Sequence, residues 1–223
     1  FGRRMTAAGS AQPHTSGSRL VVLASRNDGK VAELRRILAA AGADITLLSI
    51  AGAEDRAGVA IPEVPETGAT FQENALLKAT AVATASGLPA IADDSGLCVD
   101  ALNGMPGVLS ARWSGTADSG KSRDDANLDL VLAQVADVPD ERRGAAFVCA
   151  AAFVDPAVPG HEVVVEGRVV GRLLRKRRGT NGFGYDPIFV PDGYDTTTAE
   201  MTPEDKDAIS HRGRAFRQLA AEL

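Results

Sequence analysis

Asp93 and Asp94 stand side by side after the apolar run Leu88-Pro89-Ala90-Ile91-Ala92. Paired carboxylates at the end of such a run suit a hard cation, since Mg²⁺ takes one or two carboxylates plus substrate phosphates. One of the pair could also act as a base towards water. An Asx-turn is the structural alternative, because Asp and Ser cap turns routinely. Glu63 and Glu66 supply further acid upstream.

Four other groups could take part in the same chemistry. Ser25-Arg26-Asn27-Asp28-Gly29-Lys30 lies between an apolar run and a helical pattern. Free N–H groups, the helix dipole and a Lys would favour an anion there. It is not a Walker A loop: the first glycine is missing, and Val31 stands where Ser or Thr would hold magnesium. A capped helix start is the plain alternative. Phe71, Asn74 and Lys78 recur at helical spacing, which puts a ring, an amide and an ammonium on one edge. Glu73 reads as a capping-box acid. Thr180-Asn181-Gly182-Phe183-Gly184-Tyr185-Asp186-Pro187 alternates glycine with rings, so backbone can approach a flat ligand while an aromatic stacks on it. Lys206, His211 and Arg212 could form a cationic edge near the last helix. Together these groups describe a site for a nucleoside triphosphate with Mg²⁺.

The elements that must position them are legible in outline. Leu20 to Ala24 and Ile45 to Ile50 are short apolar runs, expected as covered strands. Between them Val31, Leu34, Ile37, Leu38 and Ala41 form one helical stripe. This βαβ opening predicts an α/β protein. Residues 51–69 are expected as loop, and a helix is expected from Thr70 to Gly87. Leu88 to Ala92 and Leu97 to Val99 are expected as apolar segments broken by Asp93-Asp94-Ser95-Gly96. A helix over 123–135 follows, then strands over 145–154 and 161–170, a short strand over 187–190, and one closing helix from about Pro203.

Composition excludes several classes. The chain of 223 residues carries 24 Lys+Arg against 29 Asp+Glu, a net charge of −5. That balance argues against a protein gripping a nucleic-acid polymer, which needs a basic face. At 44% hydrophobic and 24% charged, it is globular rather than disordered. No apolar run approaches the roughly 18 residues that span a bilayer. Cys98 and Cys149 lie in separate apolar runs, which excludes a disulfide framework. With no apolar signal stretch, a cytoplasmic location is expected. Residues 1–18, rich in Gly, Ser, Thr and Ala, are expected as a disordered leader ahead of a single domain over 19–223. Only five of the 24 basic residues are lysines, namely Lys30, Lys78, Lys121, Lys176 and Lys206. In so Arg-rich a chain each marks a point charge that Arg would not replace.

Six segments in order resemble the inosine triphosphate pyrophosphatase family, in its bacterial dITP/XTP pyrophosphatase branch. They are SRNDGK (25–30), ETGATFQENALLKA (66–79), ADDSGLCVDAL (92–102), PGVLSARWSG (106–115), TNGFGYDPIF (180–189) and KDAISHRG (206–213). The resemblance implies an α/β fold with an elongated mixed sheet flanked by helices, and a cleft between two lobes. It implies Mg²⁺-dependent cleavage of deaminated purine triphosphates between the α and β phosphates by a homodimer. Carried over position by position, Ser25, Arg26, Asn27, Asp28, Gly29, Lys30 and Lys78 would bind phosphate. Glu66 and Asp94 would hold Mg²⁺, with Asp94 as proton acceptor. Ser95 would touch substrate, Phe183, Gly184, Tyr185 and Asp186 would hold base and sugar, and Lys206, His211 and Arg212 would read the 6-oxo edge. Two departures stand out: the heavy basic run Arg172 to Arg178, and Asn181 where Gly is frequent.

Overall fold

The computed structural model describes residues 18–115 and 122–223. The expected leader lies outside the described residues except for Ser18. β1 (Arg19–Leu23), α1 (Asp28–Ala40) and β2 (Ile45–Leu48) form the expected βαβ opening, with β1 and β2 parallel. α2 (Ile50–Ala57), α3 (Phe71–Ser86) and β3 (Ala90–Val99) follow, and β3 is also parallel to β1. The chain continues through α4 (Arg123–Gln134), β4 (Gly144–Val154), β5 (Glu162–Leu173), β6 (Phe189–Pro191), α5 (Pro203–Ile209) and α6 (His211–Ala220). The six strands make one mixed sheet in the order β2-β1-β3-β4-β5-β6, antiparallel from β3 onward.

Helices cover both faces. On one, Ala75, Ala79 and Ala83 of α3 pack on Ala92, Ala150 and Ala152 of the central strands. Small side chains on both sides let the helix approach closely. On the other face Leu34, Ile37 and Leu38 of α1 and Ala215, Phe216 and Leu219 of α6 meet Ile91, Ala151 and Phe153. Gly167 of β5 makes that contact possible. A Cβ there would stand 2.1 Å from the His211 carbonyl oxygen and 2.5 Å from the Ala215 nitrogen.

Four local expectations are corrected. The loop expected over 51–69 contains α2, which Ser49 caps by accepting from the Gly52 N–H at 3.1 Å. Asp93-Asp94-Ser95-Gly96 is strand throughout, paired with Ala151, Ala150, Cys149 and Val148. Polar side chains leave the backbone ladder intact, and each carboxylate finds its own donors. The strand expected at Pro187 begins later: a tight turn occupies Asp186–Ile188, because proline cannot donate to a ladder. The closing helix is two helices, broken at Ser210, whose extended backbone (φ −62°, ψ 154°) ends α5 and whose hydroxyl accepts from the Gly213 N–H. The capping box at Thr70 and Glu73 is present as expected.

Candidate active site

At the edge where β3 carries its two carboxylates the helices leave a cavity of about 820 Å³, including its open mouth. Its wall collects residues from all six segments that carry the family resemblance, though Phe71, Asn74 and Lys78 stand behind it. Asn27 and Lys30 come from the β1–α1 junction, Glu66 from the loop before α3, and Asp94 and Ser95 from β3. Phe183, Gly184, Tyr185 and Asp186 come from the glycine loop, and Lys206, His211 and Arg212 from α5 and α6.

Successive strand residues point to opposite faces, and this separates the two aspartates. Asp94 faces α3. Its Oδ2 accepts from the Asn74 amide at 2.9 Å and its Oδ1 from the Ser95 N–H at 3.0 Å. The Lys78 ammonium lies 2.8 Å from Glu66 Oε1 and 3.8 Å from Asp94 Oδ1, between the two carboxylates. Arg112 grips Glu66 from the other side, donating to Oε2 at 3.0 Å and to the backbone carbonyl at 3.2 Å. Burial raises the proton affinity of Asp94, and the neighbouring Glu66 adds to this. Glu66 is held below the usual range: Lys78 and Arg112 outweigh its own desolvation.

Among the described residues no three or more His, Cys, Asp or Glu side chains are grouped as a metal cage. Two hard carboxylates facing one cavity, with Glu66 raising the proton affinity of Asp94, do fit a divalent cation that takes its other ligands from water and phosphate.

Asp93 faces α1 and α6 and is 3% exposed. Its Oδ2 accepts from Lys30 Nζ at 3.2 Å, Ser95 Oγ at 3.3 Å and Arg212 Nε at 3.3 Å. Arg212 also reaches Ser95 Oγ at 2.7 Å and Glu33 Oε2 at 2.6 Å. Desolvation would raise the Asp93 pKa, but Lys30 and Arg212 hold it well below the carboxylate range.

On another part of the wall the glycine loop wraps round Asp186. Phe183 N–H donates to Asp186 Oδ2 at 2.9 Å, Lys206 Nζ to the same oxygen at 2.6 Å, and the Thr198 hydroxyl to Oδ1 at 2.8 Å. Gly182 has φ +75°, and a Cβ there would stand 2.1 Å from Asp186 Oδ2, so only glycine fits that turn. Lys206 and Arg212 lie 5.2 and 5.6 Å from the Phe183 ring centre. His211 stacks on Phe147 with centroids 4.8 Å apart. Burial, together with Arg212 and Lys206, pushes its pKa well below the ordinary value, so the imidazole is neutral. The Tyr185 hydroxyl donates to the Ser110 carbonyl at 2.8 Å and serves the loop.

Other expected residues lie off the wall. Arg26 pairs with Glu54 at 3.0 Å and donates to the Ile61 carbonyl at 2.8 Å. Ser25 Oγ accepts from the Asn27 N–H at 3.2 Å, Asp28 begins α1, and a Cβ on Gly29 would meet the Phe183 ring at 3.8 Å. Asn27, which does line the cavity, also caps α1 by accepting from the Lys30 N–H at 3.1 Å. Lys78 also lies off the wall, its ammonium held between Glu66 and Asp94. In the basic run, Arg175 pairs with Asp140, Arg177 with Asp125 and Asp129, and Arg178 with Glu200, which makes it a bracing face. Asn181 keeps an ordinary backbone and donates to the Met201 carbonyl at 2.9 Å. Sequence reasoning missed Glu33, Ser110, Asp124, Asn127 and Phe147. Of these, Asp124 accepts from the Gly184 N–H at 3.0 Å, across the cavity mouth. The segment PGVLSARWSG was the available signal for Ser110; nothing local marked the others.

Known proteins are similar to this chain over almost its whole length. A model described as the Ham1 family matches residues 21–222. A dITP/XTP pyrophosphatase of Frankia alni is 59% identical over 204 residues, covering 91% of this chain and 96% of that protein. Its counterpart in Streptomyces coelicolor is 58% identical over 199 residues, covering 89% and 94%. Among solved structures, a HAM1 protein from Coxiella burnetii superposes with a TM-score of 0.79 at 38% identity, covering 92% of this chain and 98% of that one. The nucleoside-triphosphatase / dITP/XTP pyrophosphatase from Mycobacterium abscessus gives 0.69 at 56% identity, covering 92% and 97%.

Proposed function

The chain belongs to the Ham1 family, and from that premise we propose that it is a dITP/XTP pyrophosphatase. It hydrolyses deaminated purine triphosphates between the α and β phosphates, releasing the monophosphate and pyrophosphate. Residues 19–223 act as one catalytic domain. The observation that carries this reading is a single cavity with carboxylates and ammonium groups at one end and a ring beside a carboxylate–ammonium pair at the other. Phosphoryl chemistry needs positioning and charge neutralisation rather than a covalent nucleophile, and the first end supplies both.

Asp94 is the proton acceptor for the attacking water. Burial raises its basicity, while Asn74 and the Ser95 N–H fix which way its oxygens point. Lys30 and Lys78 balance phosphate charge. Glu66 and Asp94 would hold Mg²⁺, which on binding supplies charge neutralisation at the phosphate oxygens. The base stacks at Phe183, and Lys206 and Arg212 donate to its 6-oxo edge. An adenine amino group there would set donor against donor, at about 1–3 kcal/mol for each unmade buried bond. The resemblance to the pyrophosphatase family is what supports a homodimer. The enzyme works in the cytoplasm on free nucleotide, not on a nucleic-acid polymer or at a membrane.

The test is release of pyrophosphate from dITP, XTP, ATP, UTP and dTTP with Mg²⁺. Preference for dITP and XTP is expected. Orthophosphate as first product, preference for UTP or dTTP, or tight binding of dITP without turnover would refute the assignment.

A further inference from the structure

One carboxylate oxygen joins the two ends of the cavity. Asp93 Oδ2 accepts from Lys30 Nζ at 3.2 Å and from Arg212 Nε at 3.3 Å. Lys30 stands at the end that bears Asp94, Arg212 beside the Phe183 ring. Ser95 closes the arrangement: it receives Arg212 Nη2 at 2.7 Å and gives its own proton to Asp93 Oδ2 at 3.3 Å. Lys30, Ser95 and Arg212 all line the cavity, whereas Asp93 lies behind them and does not. Asp93 is 3% exposed, so water offers it no ready alternative partner, and Arg212, at 2%, is reached only from the cavity. Arg212 is further fixed by Glu33, itself 3% exposed, whose second oxygen has no partner among the described residues.

We propose that Asp93 is a positioning residue that couples base reading to phosphate placement, through its shared contacts with Lys30 and Arg212. This rests on the assignment of the two ends given above. Arg212 engaged by a correct base stays on Asp93 Oδ2, and Lys30 is then held in register for the triphosphate. A base that displaces Arg212 changes the partners of that oxygen, so Lys30 shifts too. Selectivity then appears in kcat as well as in KM. Neighbours sharing one buried hydrogen-bonded partner are the pairs whose substitutions fail to add.

The experiment is a double-mutant cycle of Lys30→Gln and Arg212→Gln, in the wild-type and in the Asp93→Asn background. Pyrophosphate release from dITP is followed at saturating Mg²⁺, with kcat and KM separated and thermal melts run on every variant. In the wild-type background Arg212→Gln should lower kcat as well as raise KM, and the two substitutions should depart from additivity in kcat by about 10-fold. In Asp93→Asn that departure should vanish. If Asp93→Asn does not fold, the wild-type cycle decides alone. Additive effects there, or an Arg212→Gln variant altered only in KM, would overturn the coupling while leaving the assignment standing. Absence of pyrophosphate release by the wild type would overturn the assignment itself and the coupling with it.

Discussion

Asp93 and Asp94 are adjacent in sequence and opposite in environment, and the pleat of β3 is what divides them. Asp94 meets an amide, a backbone N–H and a single ammonium at longer range, so burial dominates and its basicity rises. Asp93 meets two cations and a hydroxyl, so it stays ionised despite deeper burial. Asp94→Asn is therefore expected to lower kcat by about 10²-fold or more, the scale of losing a general base. Pyrophosphate release, with a melt to show that the fold survives, checks this. The residue types at 25–30, 93–95, 180–187 and 206–212 were enough to mark the site. The partners of Arg212 were not legible, because Glu33 and Asp93 lie 179 and 119 positions away. Only the fold sets that distance to zero.

At the scale of elements, the site depends on how closely α6 can lie on the sheet. Gly167 of β5 sits under the first turn of α6, where any Cβ would press on the His211 carbonyl and the Ala215 nitrogen. Both obstacles are backbone, so the helix itself must move. Gly167→Ala is expected to raise KM for dITP several-fold and to lower the melting temperature, because His211 and Arg212 ride on that turn. Unchanged KM would show that α6 tolerates the shift. Helix starts such as Thr70 were legible because capping chemistry is local. The continuity of β3 was not: four polar or small residues look like a turn until the neighbouring strand supplies their hydrogen bonds. α2 was missed for a related reason, since its eight residues include a glycine and two acids with little apolar period.

Across the whole molecule, a chain of net charge −5 still gathers cations where an anionic ligand would lie. Of its lysines, Lys30 and Lys206 line the cavity and Lys78 bridges its two carboxylates, while Lys121 lies outside the described residues. Concentrating charge in a buried cleft has a consequence for stability. His211 is neutral in the fold because burial and two neighbouring cations oppose its protonation. Its folded pKa lies below the unfolded value of 6.5, so the unfolded chain binds the extra proton as pH falls. The stabilisation from neutral His211 is thus complete above about pH 6.5 and is lost below it. Urea midpoints measured from pH 8 to pH 5 should fall more steeply in the wild type than in His211→Gln. Parallel curves would mean that His211 is not the group responsible. No helix among the described residues is long and apolar enough to cross a membrane, and the relatives matched along nearly the full length are nucleotide pyrophosphatases by name. The proposed reaction has water, activated by Asp94, attacking the α phosphorus of a deaminated purine triphosphate. Turnover of dITP in oxygen-18-enriched water tests it most directly. The label should appear in the monophosphate and be absent from the pyrophosphate; label in pyrophosphate or in orthophosphate would contradict it.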